Sequence, residues 1–347
     1  MAETWNYPPR ELYKSLCLIF DENDDIPKIH RDIAKRKLNK LYKRNQLYFS
    51  GLDGEWVWRL ACAELMQHRY HWLGWERRSD WCWELCTKDW YYPKWNGRPT
   101  QLIVLAEQGI GDEILFASAY EDLLEHNPVT TFEVDHRLLP VMRRSFPRAT
   151  FVTRYKDNAT RDPWQSADYR GDYGAFIPAG NVPKLYRKSV AAFPKKPYLV
   201  ADEWKTQKWR EWLSEQGNPP YVGVSWKGSN TRYVDPGVLM AGTSINLQYN
   251  DNHERLIQPP IDLKDEVDEV FSLVAALDKV HCVPVWILHV AGSLGIETHV
   301  VRSPKMYGEQ NNILRWEFGR WDHIDWYGNM TLYPNVGAFE KTKIKMA

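Results

Sequence analysis

The chain has 347 residues, too many for one small hydrophobic core, and its 45 Lys and Arg balance 45 Asp and Glu. A formal net charge of zero removes any whole-molecule attraction for nucleic acid or an anionic membrane. The five cysteines (Cys17, Cys62, Cys82, Cys86, Cys282) are odd in number and scattered, which excludes a fully paired disulfide framework and fits reduced thiols.

Met1 to Arg10 is polar and lacks the apolar centre of a signal peptide, and no apolar run approaches the ~18 residues that span a bilayer. A cytoplasmic protein is expected. Ile29, Ile33, Leu38, Leu41 and Tyr42 recur at helical steps, and the basic run Lys35-Arg36-Lys37 reads as a solvated face. Trp56 to Arg69 predicts a second amphipathic helix, Gly74 breaks the pattern, and Trp75 to Cys86 makes a third. Cys82 and Cys86 have no second pair or histidine nearby to complete a zinc set. Many of the 18 Trp and 19 Tyr lie here and in the last forty residues; filling helix interfaces accounts for most, and stacking on sugars or bases is the functional alternative.

The texture then changes. Pro93 to Pro99 is a turn-rich link. Gln101 to Ala106 predicts a buried strand, Gln108 to Gly111 a loop, and Asp112 the start of one helix carrying Ile114, Leu115, Ala119 and Leu123. Thr130 to Val134 and Thr150 to Thr153 read as strands around a helix at Leu138 to Phe146. Residues 154–176 are polar and irregular, order resumes at Phe176-Ile177-Pro178, and Phe193 to Leu199 reads as a linker. The rhythm repeats: helix Trp204 to Gln216, strand Tyr221 to Trp226, strand Ser244 to Gln248, helix Val267 to Leu277, strand Lys279 to Val283, helix Ile287 to Leu294 closed by Gly295, and strand Glu297 to Val301. An aromatic stretch from Arg315 to Tyr333 ends the expected order, with 337–347 a frayed basic tail. Strands alternating with helices predict two parallel α/β sheets.

Three loops are candidates for chemistry. Gly109-x-Gly111-Asp112 follows a strand and opens a helix, where backbone N–H groups and the helix dipole favour an anion; spacing alone leaves Asp112 open between an N-cap and a functional carboxylate. Trp226-Lys227-Gly228-Ser229 follows the first strand of the second half, at the sheet edge where open α/β folds bind ligands, so Lys227 and Ser229 are placed to meet a diphosphate. Arg232 is near enough to assist. Pro284 to Gly295 holds a helix that Pro284 is suited to begin, with small residues including Gly292 that permit close approach. His289 within it reads more readily as a core residue than a ligand. Asp262, Asp265, Glu266, Asp268 and Glu269 read as a charged helix start. HExxH, P-loop, paired CxxC and GxSxG patterns are absent.

Taken in order, several blocks resemble the glycosyltransferase region of bacterial tetratricopeptide-repeat proteins, which is similar to the ADP-heptose lipopolysaccharide heptosyltransferases. Gly74-Trp75-Glu76 through Trp83-Glu84 resembles that family's GW…YEWR, Trp95-Asn96-Gly97 its W-x-G, and Leu105 to Phe116 its EQGLGDTIQF. Ile177 to Leu185, Val222 to Ser229 and Leu247-Gln248 resemble its P-x-GSLP, VGLVWSGN and SLQ blocks. Leu277-Asp278 with His289 to Gly295 resembles LDLV…DTSVAHLAGALG, and Trp326-Tyr327 its closing WYP. Where the family has Asp-Thr at the head of the donor helix, this chain has Pro284-Val285-Trp286.

The resemblance implies the GT-B architecture: a short helical, tetratricopeptide-like segment (1–97), a Rossmann-like acceptor domain (98–197), and a Rossmann-like donor domain (198–336) with a tail (337–347). It implies inverting transfer from a nucleotide-sugar co-substrate, with no bound cofactor or metal and with Asp112 as general base. Gly109, Gly111, Lys227, Ser229, Gln248, Trp286, His289 and Gly292 are the expected binding residues. The acceptor stays open among a glycan, a lipid-linked sugar and a modified DNA base, the last needing a basic groove for which Lys35 to Lys43 and Arg137 to Arg148 are the candidates. A non-catalytic sugar-nucleotide-binding relative is the alternative of another class.

Overall fold

Leu102–Leu105 (β1) buries all four of its side chains, as expected of a strand covered on both faces. In the computed structural model, which describes residues 72, 75, 92–154, 172–228, 233–302 and 324–346, β1 is central in a four-stranded sheet. It is followed by α1 (Ile110–Ala117), α2 (Tyr120–His126), β2 (Thr130–Asp135), α3 (Leu139–Ser145), β3 (Thr150–Arg154), β4 (Ala175–Pro178) and α4 (Val182–Tyr186). The order is β3-β2-β1-β4 and every pairing is parallel, with Leu102 opposite both Thr130 and Ala175.

The second half runs α5 (Glu203–Gln216), β5 (Tyr221–Ser225), α6 (Pro236–Leu239), β6 (Thr243–Asn246), α7 (Val267–Ala276), β7 (Lys279–Cys282), α8 (Trp286–Leu294), β8 (Glu297–Val301), β9 (Met330–Tyr333) and α9 (Val336–Met346). Its sheet has order β6-β5-β7-β8-β9, again wholly parallel. The expected α/β class with two parallel sheets is therefore the observed one. The chain divides into two compact units, Met1–Cys86 with Leu314–Trp316, and Thr87–Ile313 with Glu317–Ala347; both sheets belong to the second. In the first, the helices expected over 28–86 lie outside the described residues, except that Trp72 and Trp75 are buried and meet edge to face at 5.3 Å.

Three expectations change. The helix expected from Asp112 through Leu123 is two helices, broken at Ser118-Ala119. The Ser118 carbonyl, which an unbroken helix would offer to Asp122 N–H, instead accepts from the buried Arg187 guanidinium at 2.6 Å, and Arg187 also meets the Asp122 carboxylate at 2.7 Å. The end of the chain is not frayed: Met330–Tyr333 extends the second sheet, and α9 lays Phe339, 1% exposed, against Tyr333, His281 and His299. Pro284 does not open α8. Val285 is the N-cap and Trp286 the first helical residue.

One core lies on the α9 side of the second sheet, where Val222, Val224, Trp226, Leu239, Val283, Val301 and Phe339 pack together. The acidic stretch before and within α7 is an ion-pair hub. Asp268, in the first turn where the dipole favours a carboxylate, meets Arg144 of α3 at 2.6 Å and Lys205 of α5 at 2.7 Å. Burial pushes Asp268 up, but these two cations outweigh it and hold the carboxyl below its usual range. Arg137 donates to the Lys264 carbonyl at 3.0 Å from the other side. Among the described residues no helix is long and apolar enough to cross a membrane.

Candidate functional site

The loop leaving β1 is held from beneath by two acids. Ala106 N–H donates to Glu133 at 3.0 Å, and the fully buried Glu107 carboxylate accepts from Gly180 N–H at 2.5 Å. The second bond ties the β1–α1 loop to the turn Ala179–Asn181 that follows β4. Gln108 then takes φ 62, a left-handed backbone that costs a non-glycine residue roughly 1 kcal/mol. The special conformation thus falls on Gln108, while Gly109 is extended (φ −101, ψ 169).

Gly109 is the N-cap of α1, and Asp112, where the sequence predicts the start of the helix and which spacing leaves open between an N-cap and a functional carboxylate, is its third helical residue. Its carboxylate reaches back to Gly109 N–H at 3.2 Å, satisfying a donor of the helix start. Asp112 is half-buried and Gly109 exposed, so the loop meets solvent at the carboxyl end of the sheet.

Gly111 has a different task. A Cβ there would lie 3.1 Å from His289 Cδ2, 3.3 Å from Trp286 Cβ and 3.4 Å from Trp286 Cα. A methyl group there would oblige these neighbours to shift by a few tenths of an ångström, so glycine suits the close approach of the first turns of α1 and α8. The structure therefore gathers Gly109, Gly111, Asp112, Trp286 and His289 at one junction. His289, 2% exposed, meets the Tyr327 hydroxyl through Nδ1 at 2.9 Å. Gly292, further along α8, sits beneath Tyr327 and Met330, where an added Cβ would be 2.5–2.7 Å from their side chains. Val285 offers no side-chain cap to the N–H groups that open α8.

Lys227, Gln248 and their neighbours make a second group, at the carboxyl ends of β5 and β6. Gln248 is buried, and its Oε1 accepts from Ser225 Oγ at 3.1 Å and from Lys227 N–H at 2.9 Å, so it shapes the loop that presents Lys227. Lys227 Nζ stands 3.3 Å from Asp251 and more than half exposed. Ser229 and Arg232 lie outside the described residues.

Sequence reading missed the acids under the first loop. Glu113, beside Asp112, is buried and accepts from Asp135 N–H at 2.8 Å, with the Arg154 guanidinium 3.6 Å away. Burial pushes its carboxyl up to about 8, against the pull of Arg154. Asp135 goes the other way: burial would raise it, but the Arg137 side chain and N–H outweigh that and hold it low. The signal that was available was a string of acids at strand and helix ends in an otherwise apolar sheet.

The basic residues proposed for a DNA groove are largely engaged. Arg137 pairs with Asp135, Arg144 with Asp268 and Arg148 with Glu121; Lys35 to Lys43 fall outside the described residues. Among the described residues no group of three or more His, Cys, Asp or Glu is placed to hold a metal ion.

No protein-family model matches the chain. It is 28% identical over 246 residues to Protein FlbA of Caulobacter vibrioides, a match covering 58% of this chain and 40% of FlbA. The matched region is thus less than half the length of that relative. Solved structures with some likeness include a glycosyl transferase family 9 protein from Veillonella parvula, with TM-score 0.46 and 11% identity over 71% of this chain and 89% of that one. They also include the iron-containing dodecameric glycosyltransferase TibC from enterotoxigenic E. coli, with TM-score 0.42 and 10% identity over 74% and 78%. Similarity at this level leaves the chemistry to the residues themselves.

Proposed function

We propose that the protein is an inverting, metal-independent glycosyltransferase that moves a sugar from a nucleotide-sugar donor to an acceptor hydroxyl, with Asp112 as general base. One observation carries the reading: the first turn of α1, bearing Asp112, lies against the first turn of α8 through Gly111. The turn that bears this carboxylate thereby adjoins the start of the helix that follows β7 in the other sheet, where Val285 supplies no side-chain cap. The ordered blocks from Leu105 to Tyr327 that resemble the heptosyltransferase-like family support the same assignment of sides.

In this mechanism the acceptor hydroxyl lies over Gly109–Asp112, and its oxygen attacks the anomeric carbon. The C–O bond to the diphosphate breaks, the nucleoside diphosphate leaves with the bonding pair, and Asp112 takes the hydroxyl proton. The attacking and leaving oxygens occupy opposite faces, so the configuration inverts. Main-chain N–H groups at the start of α8 and the Lys227 ammonium are the groups that offset the growing negative charge. Gln248 serves by holding the Lys227 backbone.

A thermal-shift panel of ADP-, UDP- and GDP-sugars tests the donor side, since a ligand at 100 times its Kd stabilises by about 2.7 kcal/mol. Asp112→Asn is expected to keep the donor's shift and lose transfer at least about 100-fold, within the usual range for removing a general base. Normal turnover in that variant defeats the assignment. The replacement of the family's Asp-Thr by Pro284-Val285 favours a second reading, binding without turnover. A donor shift with no transfer to any acceptor, by wild type as by variant, supports it.

A further inference from the structure

The first sheet has a point where its connections part. In the order β3-β2-β1-β4 the chain passes from β1 to β2 and β3 on one side, then returns to place β4 on the other. Loops that leave two neighbouring strands at such a point turn away from each other, and ligands of open α/β sheets bind in the crevice between them. Here the strands are β1 and β4, level with one another because Leu105 stands opposite Pro178. One wall of the crevice is Ala106 to Asp112, and the other is Pro178 with the turn Ala179–Asn181.

The two walls are tied together at depth. The Glu107 carboxylate, 0% exposed, accepts from Gly180 N–H at 2.5 Å across 73 positions of chain. A bond from a main-chain N–H to a carboxylate is among the strong ones. Around it Gln108, Gly109 and Asp112 are at least partly exposed on the first wall, as are Pro178 and Asn181 on the second.

Charge says what such a crevice admits. Neither wall carries a lysine or arginine, and the first carries two acids, Glu107 and Asp112. Lys184, in α4, is the first basic residue past the second wall. The buried Arg154 faces Glu113, and the buried Arg187 faces the Ser118 carbonyl and Asp122. At the start of α1, which would otherwise suit an anion, Gly109 N–H already serves Asp112. A phosphate-bearing acceptor would meet carboxylates there without counter-charge. An uncharged sugar asks only for donors and acceptors of the main-chain and amide kind, and each wall carries an amide side chain, Gln108 and Asn181.

We propose that the acceptor is an uncharged carbohydrate seated between the β1–α1 loop and the Ala179–Asn181 turn, and that Glu107 is the positioning residue that holds these two walls together. The proposal rests on the reading of the Asp112 turn as the acceptor side of a glycosyltransferase. Glu107 acts through Gly180 and touches no reacting atom.

The test screens full-length protein by saturation-transfer NMR against the methyl glycosides of glucose, galactose, mannose and N-acetylglucosamine. Glucose 6-phosphate and a single-stranded oligonucleotide bearing hydroxymethylcytosine are the charged probes. Wild type should bind at least one methyl glycoside and neither charged probe. Glu107→Ala should weaken that glycoside about ten-fold, as loss of one bond to a charged group would, and keep the thermal shift given by the donor panel. Glu107→Asp keeps the charge but withdraws it by one methylene, so it should weaken the glycoside in the same direction and decides the matter if the alanine variant does not fold. Binding of the charged probes alone, or of no glycoside, overturns the assignment of the acceptor. Glycoside binding untouched by either variant, or a donor shift lost in equal measure, overturns the positioning role. A glycoside that binds and responds to Glu107 in a protein with no donor shift would defeat the glycosyltransferase reading and leave the crevice standing as a carbohydrate site.

Discussion

Replacing Glu113 by Gln removes one proton-binding group and little else. The amide oxygen still accepts from Asp135 N–H, where the carboxyl bond is 2.8 Å, and the side-chain volume is kept. In the native protein burial raises this carboxyl from 4.5 to about 8. A buried acid whose pKa is raised on folding binds its proton more tightly when native, so its contribution is fully present below pH 4.5 and is lost as pH climbs through about 8. At about 1.4 kcal/mol for each pH unit, that interval is worth on the order of 5 kcal/mol. Glu113 is 1% exposed, so solvent screening does not dilute it. Between pH 5 and pH 8 the stability of wild type should therefore fall relative to Glu113→Gln by about 4 kcal/mol. Denaturant unfolding followed by near-UV circular dichroism, run on both proteins at several pH values, measures the difference. Parallel pH dependences for the two would refute the argument, because they would mean that Glu113 is already ionised in the native state at pH 5, with Arg154 winning over burial.

The second sheet contains the opposite case. His281 accepts no charge readily: burial lowers it from 6.5 to about 4, and its Nε2 has no partner while Nδ1 bonds the Leu239 carbonyl at 2.7 Å. Its contribution is lost as pH falls from 6.5 toward 4, so His281→Phe should flatten the acid side of the stability profile, and an unchanged acid slope would disprove it. Gly292→Ala forces a methyl to 2.5 Å from Met330 and 2.6 Å from Tyr327, and overpacking of this kind costs about 1–3 kcal/mol. Its melting temperature should drop and the Tyr327 contact to His289 should loosen; a variant as stable as wild type would show that α8 moves aside freely.

Much of the architecture was legible in the order of residues. Apolar runs such as Gln101–Ala106 and Tyr221–Trp226 can be satisfied only when both faces are covered, and alternation with amphipathic segments forces parallel strands, so the α/β class and most elements of both sheets followed. The break after α1 did not, because it depends on Arg187, far along the chain, capturing one carbonyl. Nor did α9: its pattern is weakly amphipathic, and it is secured by Phe339 entering a core to which β5, β8 and β9 contribute Val222, Val224, Val301 and Tyr333. At the candidate site, the sequence by itself determined that two glycines and a carboxylate stand between a strand and a helix. Tertiary structure alone decided that Asp112 is the third helical residue, that Gln108 carries the left-handed turn, and that Gly111 packs closely against Trp286 and His289. The reason is one of range: spacing reports what neighbours along the chain can do, whereas close approach, buried acids and a bond from Gly180 to Glu107 arise only where distant segments are packed together.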